Sequence, residues 1–567
     1  MSQQPRRLLR GTIIVIAAAA ALVVWRVSRL PAPVAVPAAT TSADVRVVYH
    51  VHTTRSDGTG TPDEVAAAAR EAGVDVVILT DHGDGTRVPD PPRRVSGVLV
   101  IDAVEVSTWA GHYVALGART APYPLGGLPE SVVEDVARLG GMGVVAHPGS
   151  AKDDLKWRDW DTAFPGIEWL NADSEWRDRP GRLWDAITTY PFAPVATIAA
   201  LLDRPQFELR AWDRHGALRP VVGLAAHDAH ARLGLRGVGE PYDGAVALRA
   251  PGYTTMFRAF SNVVPVDRAS WGREAAADAA TIIDALRAGR VYAVIGARGD
   301  GRLAAFTATS GGTTAHMGGH LEPAGPVTFT AVSNAPATAA TTLVCNGRSV
   351  STARGGALTW TTPTPPGACR LEVTLDDDTS PRAPWIVSNP IYVREARERA
   401  APPSVLPPQL RVPFAGSAEA AQWAAETSPG STAVMRADGN VAGRLVYDWQ
   451  LAAGGREQFA ALRIDTPADL ARFDRMVVRA SADRPMRVWL QFRAPADGGH
   501  RWGTSVYLDE TPREVTLPFA RFLSIDRRAG TAVPLDTITA LLLVADTVHA
   551  RPGERGSVRL DALGLAR

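Results

Sequence analysis

Five short blocks of histidine and carboxylate residues, each beside a short apolar run, most constrain how this chain can fold. They read HVHTTRSDG (His50 to Gly58), TDHGDG (Thr80 to Gly85), DAVEVSTWAGHY (Asp102 to Tyr113), VVAHPG (Val144 to Gly149) and AAHDAH (Ala225 to His230). Eight of the twelve histidines fall between residues 50 and 230. Imidazole and carboxylate are ligands of borderline divalent metals and must be presented from a rigid backbone. The pattern reads as strands delivering ligands to one rim. On a strand, residues i and i+2 share a face, which would let His50 and His52 reach one ion.

Between Asp44 and about Arg302 strand-like and helix-like segments alternate. VRVVYHV, VDVVILT, SGVLVIDAVEV, GMGVVAH, RPVVGLAAHD and VYAVIG read as strands. TPDEVAAAAREAG reads as a helix with a capping box (Thr61, Glu64), Pro62 in its first turn and Gly73 at its end. ESVVEDVARLGG, RPGRLWDAITTY and DAATIIDALRAGR read as further helices. Buried strands alternating with helices predict an α/β fold, closed or nearly closed, with its site at the carboxyl ends of the strands.

After Leu303 the pattern becomes short β-rich runs separated by Gly, Pro and Asn, as in a β-sandwich. A Pro-rich connector over 397–413 leads to a second β region over 414–567. The expected organisation is an N-terminal segment (1–43), the α/β domain (44–303), an Ig-like sandwich (304–396), a linker (397–413) and a β jelly roll (414–567).

A chain of 567 residues is too long for one core, and a net charge of +1 gives no reason to expect nucleic acid as the main partner. Arg6, Arg7 and Arg10 precede an uncharged run from Gly11 to Trp25, then Arg26 and Arg29. As a helix that run spans about 22 Å, short of a hydrocarbon core of roughly 30 Å. It reads as an N-terminal hydrophobic helix, either a membrane anchor with its cytoplasmic end first or a cleaved signal. Both readings place residues 44 onward outside the cytoplasm. The two cysteines, Cys345 and Cys369, are then expected to be bridged.

The ordered blocks, with Glu105 on a strand between them, resemble the motifs of the PHP (polymerase and histidinol phosphatase) superfamily over residues 44–300. LRAGRVYAV and SNPIYV are similar to a branch that includes carbaryl hydrolase. The resemblance implies a distorted β/α barrel holding two or three divalent ions (Zn, Mn or Fe) and hydrolysing esters, mostly of phosphate. It implies that His50, His52, Glu105 and Asp228 hold one ion, that Glu105 bridges to a second completed by His112 and His147, and that Asp57, His82 and His230 hold a third. Asp57 has an ordinary alternative, because SDG is also a turn sequence.

A carboxylate can bridge two cations, and a water between them is acidified enough to attack an ester as hydroxide. Glu105 and Asp228 are therefore the expected catalytic carboxylates. Arg55 and Arg232 are candidate clamps for a phosphate, each also readable as a solvated or structural arginine. His227 should face away from Asp228 and His230 and pack. Trp157, Trp160, Trp169 and Trp176 could line a pocket or form a packed lid. The last domain resembles galactose-binding-like or carbohydrate-binding jelly rolls, which adds a glycan to the expected partners. The small-molecule ester could carry a phosphoryl, carboxyl or carbamoyl group. A non-catalytic surface protein with a structural metal is the remaining alternative.

Overall fold

The computed structural model describes residues 4–36, 44–177, 180–232, 249–266, 270–376, 382–394, 412–413, 417–455, 457–495, 499–525 and 532–567. Most of the connector 397–413 and the linker residues 37–43 lie outside these.

The α/β region is built on two sheets. The first contains β1 (Asp44–Val51), β2 (Val76–Leu79), β3 (Arg93–Val95) and β4 (Val98–Asp102). The second contains β5 (Val104–Thr108), β6 (Gly111–Leu116), β7 (Met142–Val145), β8 (Gly166–Asn171) and β9 (Val222–Ala226). Strands β10 (Ser261–Pro265) and β11 (Tyr292–Val294) return to the first sheet beside β1. The β1–β2 and β2–β4 pairs are parallel, as are β7–β8 and β8–β9.

The expected closed or nearly closed barrel divides into two sheets. Among the described residues these are joined by isolated bridges, Val51 to Ala229 and His82 to Glu105, and by a backbone bond from the His227 N–H to the Tyr49 carbonyl. The Asn262 amide of β10 also bonds both backbone groups of Ala225 on β9. The run SGVLVIDAVEV, expected as one strand, divides at Ala103 into β4 and β5, which belong to different sheets. Valine and isoleucine side chains on both faces of β1, β2 and β4 fill the cores on either side of the first sheet.

Helix α1 (Gln4–Ser28) starts the chain, and α2 (Pro62–Glu71) follows β1. In α2 the Thr61 side chain accepts from the Glu64 backbone while Glu64 accepts from the Thr61 backbone, the reciprocal cap read from the sequence. Helix α3 (Pro129–Arg138) packs on β6 and β7.

The α1 residues Ile13, Ile14, Val15 and Ile16 are exposed. Arg26 ties the helix end to the body through Thr188 (3.0 Å) and Asp185 (3.4 Å). Among the described residues no helix is long and apolar enough to cross a membrane. The membrane anchor expected here is therefore not shown, as the apolar run itself is shorter than a bilayer core.

The sandwich is not independent of the α/β region. Strand Ile386–Ser388 pairs antiparallel with β11, so one sandwich sheet continues the first α/β sheet. Cys345 and Cys369 face each other on paired antiparallel strands and are joined as a disulfide. The C-terminal region forms two six-stranded sheets around a separate core, the expected jelly-roll pairing of antiparallel sheets.

Candidate metal centre

All nine sequence-predicted ligand residues converge where the two sheets meet. Asp57, His82, His147, Asp228 and His230 lie in loops after strands, and Glu105 is on β5. His112 departs from the strand-end rule. Strand β6 runs antiparallel to β7, with Tyr113 opposite Val145, so the start of β6 lies on the rim.

His50 and His52 do meet, with Nε2 atoms 3.1 Å apart, but strand alternation is not the cause. His50 has a φ of 62°, and the β1–β2 register shifts between Val48 and Val51. His147 (27°) and Asp228 (48°) are also left-handed. These three residues themselves form one cluster whose ligand atoms lie within 4.8 Å of one another. Each such conformation costs about 1–3 kcal/mol and persists only where its surroundings over-determine it. Gly58 closes the turn that carries Asp57, and a Cβ there would stand 2.3 Å from the His52 carbonyl oxygen.

Glu105 organises the centre. Its Oε1 lies 2.9 Å from both His112 Nδ1 and His147 Nε2. Its Oε2 makes no hydrogen bond, yet His50 Nε2 (3.3 Å), His52 Nε2 (3.3 Å) and His82 Nδ1 (3.2 Å) converge on it. Asp228 Oδ1 lies 3.4 Å from His50 Nε2 and 3.3 Å from His52 Nε2. Asp57 faces His52, His82 and His230 at 3.4, 3.7 and 3.2 Å.

This grouping departs from the resemblance in three places. His147 also gathers with His50 and Asp228, His52 with Asp57, His82 and His230, and His82 with Glu105 and His112.

The centre is buried, with His50, His52 and Glu105 at most 1% exposed. Burial disfavours charge on His52, but Asp228 and Glu105 outweigh it and push the imidazole up to about 10. His50 is raised the same way, chiefly by Glu168 against the cost of burial. Burial alone dominates at His82 and lowers it to about 4. Burial would raise Glu105 and Asp228, yet the surrounding imidazoles hold both carboxyls well below their usual range. Anionic oxygens and nitrogen lone pairs concentrated in a dry pocket suit hard-to-borderline divalent cations.

His227 packs as expected. Its ring stacks on Phe260 at 4.0 Å, and its Nε2 lies 3.0 Å from the Phe260 carbonyl oxygen. Arg55 sits beside the centre but is engaged by Asp90 and by Asp102 (3.4 Å). Arg232 is partly buried two residues beyond His230. Trp157 and Trp169 are fully buried core residues, which settles them as packing; the Trp176 side chain is outside the described residues.

Glu168 was not among the predicted site residues. It lies on β8, fully buried, with Oε1 2.6 Å from His50 Nδ1. Its Oε2 accepts from the His147 backbone N–H (2.7 Å) and from Asn171 Nδ2 (2.9 Å). The available signal was a lone carboxylate inside an apolar run, GIEWL. Asp81 has a similar supporting role, accepting from the Thr53 backbone and hydroxyl and from Ser56.

A cavity of about 120 Å³ opens beside His82, and its wall includes Arg55, Asp84, Arg87, Asp102 and Leu125.

No protein-family model matches the chain. An uncharacterized protein of Methanocaldococcus jannaschii is 28% identical over 137 residues, covering 22% of this chain and 80% of that protein. A two-domain protein of Bacteroides vulgatus, described as containing a predicted PHP-like metal-dependent phosphoesterase, is similar at 13% identity. That likeness covers 63% of this chain and 98% of that one, with a TM-score of 0.27. A family 11 carbohydrate-binding module from a Clostridium thermocellum cellulosomal cellulase is similar at 12% identity, covering 28% of this chain and 95% of the module, with a TM-score of 0.24.

Proposed function

We propose that the chain is a metal-dependent hydrolase of small esters, with a phosphate ester as the preferred class. The observation that carries this reading is Glu105, whose two oxygens each face a separate set of imidazoles. A merely structural ion needs one closed set of ligands, not a shared carboxylate between open sets.

The donor set fits two or three cations. His50, His52, Glu105 and Asp228 would hold one, His112 and His147 with Glu105 a second, and Asp57, His82 and His230 a third. Zn, Mn and Fe all suit these ligands. Bound cations would acidify a water between them and neutralise charge developing on the ester oxygens. Glu105 keeps the two ligand sets in register. Glu168 orients His50 through Nδ1 and leaves Nε2 facing the centre, the role such outer carboxylates play for metal-binding imidazoles.

The cavity beside His82 is smaller than the roughly 300–1,000 Å³ of a drug-sized site, so it would take a compact head group. Arg55 and Arg87 both stand on its wall and both pair with Asp102. Two guanidinium groups there favour a phosphoryl group over a neutral carboxyl or carbamoyl ester. Arg232 remains a candidate second clamp.

An oxidising, extracytoplasmic location belongs to the same reading. The Cys345–Cys369 bridge and the exposed apolar residues of α1 support it. Cell fractionation with a protease-accessibility assay tests it.

The deciding experiment for activity is metal analysis of the purified chain beside a panel of phosphomonoesters, phosphodiesters and aryl carboxyl esters. Turnover of phosphate esters, lost on chelation and restored by Mn or Zn, is expected. Hydrolysis of carboxyl esters alone would overturn the substrate assignment, and a chain that binds no metal would overturn the reading as a whole.

A further inference from the structure

The turn that joins β5 to β6 carries Trp109, between the two strands that supply Glu105 and His112. Its indole does not line the metal centre. It stacks on Trp489 of the jelly roll, with ring centroids 5.0 Å apart and planes 8° from parallel. Trp489 is fully buried and lies on strand Met486–Arg493, among Leu128 of the α/β region and Ala461, Leu542 and Val544 of the jelly roll. One jelly-roll sheet thus has its outer face covered by the α/β region.

Helix α3 is held by the same sheet. Arg487, 3% exposed, donates from Nε to Asp135 Oδ2 (2.7 Å) and from Nη2 to Asp135 Oδ1 (2.9 Å) and Glu134 Oε2 (2.6 Å). The Ser131 and Ser505 hydroxyls lie 2.6 Å apart, and Arg521 pairs with Glu130. A buried ion pair is tolerated only when its geometry and hydrogen bonds are complete. Interfaces within a chain are more often small, polar and mobile. This one combines a dry aromatic centre with a saturated guanidinium, which fixes orientation as well as contact.

We propose that the jelly roll is a positioning element of the metal centre. Trp489 acts through Trp109 on the β5–β6 hairpin, and Arg487 acts through α3 on β6 and β7, the strands that carry His112 and lead to His147. The contacts among Glu105 Oε1, His112 and His147, both at 2.9 Å, depend on that clamp. The jelly-roll aromatics are accordingly spent on packing. Trp423, Trp449, Trp489 and Trp502 are all buried, so among the described residues no jelly-roll tryptophan offers a ring for a sugar to stack on. The inference rests on the metal-dependent reading above.

The test uses the full chain with Trp109→Ser, Trp489→Ala and the conservative Trp489→Phe. Val434→Ser on the exposed face of the opposite sheet serves as control. Mn and Zn binding is measured by equilibrium dialysis, and kcat and KM are read separately on p-nitrophenyl phosphate. Folding is checked by circular dichroism.

Trp109→Ser and Trp489→Ala should bind metal at least about ten-fold more weakly, the usual size of a lost outer-shell support. Their kcat should fall while KM holds, and Trp489→Phe should recover most of both. If Trp489→Ala does not fold, Trp109→Ser at the hairpin turn decides. Folded Trp109→Ser with wild-type metal affinity and kcat would overturn the clamp while leaving the hydrolase reading intact. A wild-type chain that binds no metal would overturn both.

Discussion

Nδ1 of His50 lies 2.6 Å from Oε1 of Glu168, and both side chains are fully buried. The second Glu168 oxygen holds the His147 backbone. One carboxylate therefore fixes a ring and a main chain that are left-handed at the metal centre. Replacing Glu168 with Gln keeps its size but removes its charge. Metal affinity should drop about 10–100-fold with all ligands in place. Titration calorimetry checks this, and an unchanged affinity would remove Glu168 from the supporting shell.

Glu105 should be far less forgiving. Glu105→Gln loses the anionic oxygen on which three imidazoles converge. Loss of several kcal/mol of charge stabilisation corresponds to roughly 10³ in kcat/KM. Metal content by mass spectrometry should fall with it. A folded Glu105→Gln that keeps both full metal content and activity contradicts the bridging role.

Metal binding should strengthen as pH rises. In the metal-free centre the neighbouring carboxylates hold His52 up to about 10, so at pH 7 it carries a proton that a cation must displace. His50 and His147 are raised in the same direction. The apparent affinity should increase across pH 6–9, with protons released on binding. Calorimetry in two buffers of different ionisation heat measures the release. A pH-independent affinity would show that these imidazoles are already neutral.

Asp546 gives a separate pH signature at the jelly-roll face. Its carboxyl is half-buried, accepts from Trp489 Nε1 (3.1 Å), and is pushed by desolvation up to about 6. A group raised on folding contributes stability below its unfolded value, and that contribution is lost as pH climbs through the folded value. A rise of about two units corresponds to about 3 kcal/mol. Thermal unfolding between pH 4 and pH 8 should show the loss, and Asp546→Asn should flatten it. An identical pH profile in Asp546→Asn would rule Asp546 out as its source.

His227 serves as the counter-case among the histidines. His227→Leu should keep full metal content while losing one buried hydrogen bond, a cost of about 1–3 kcal/mol. A lower metal stoichiometry in folded His227→Leu would place it in the centre after all.

How much of this was legible in the sequence varies with the range of the interaction involved. The α2 cap could be read because Thr61 and Glu64 interact within one turn. Glu168 carries no such local mark, because its carboxylate acquires meaning only beside His50, 118 residues away. His50 and His52 were paired correctly for an incomplete reason, since strand periodicity carries no sign of a left-handed kink at His50.

Residue chemistry and order alone determined the blocks of imidazole and carboxylate beside apolar runs, the α/β-then-β succession and the expectation that Cys345 and Cys369 pair. The nine-member donor set came from what the resemblance of those ordered blocks implies. Ligand type, hydrophobic period and composition are local properties of the chain. Tertiary structure alone decided that the α/β strands divide into two sheets, that the sandwich extends the first of them, and that Trp489 closes over Trp109. Those outcomes depend on which apolar faces bury one another, and faces hundreds of residues apart leave no periodic trace in the sequence.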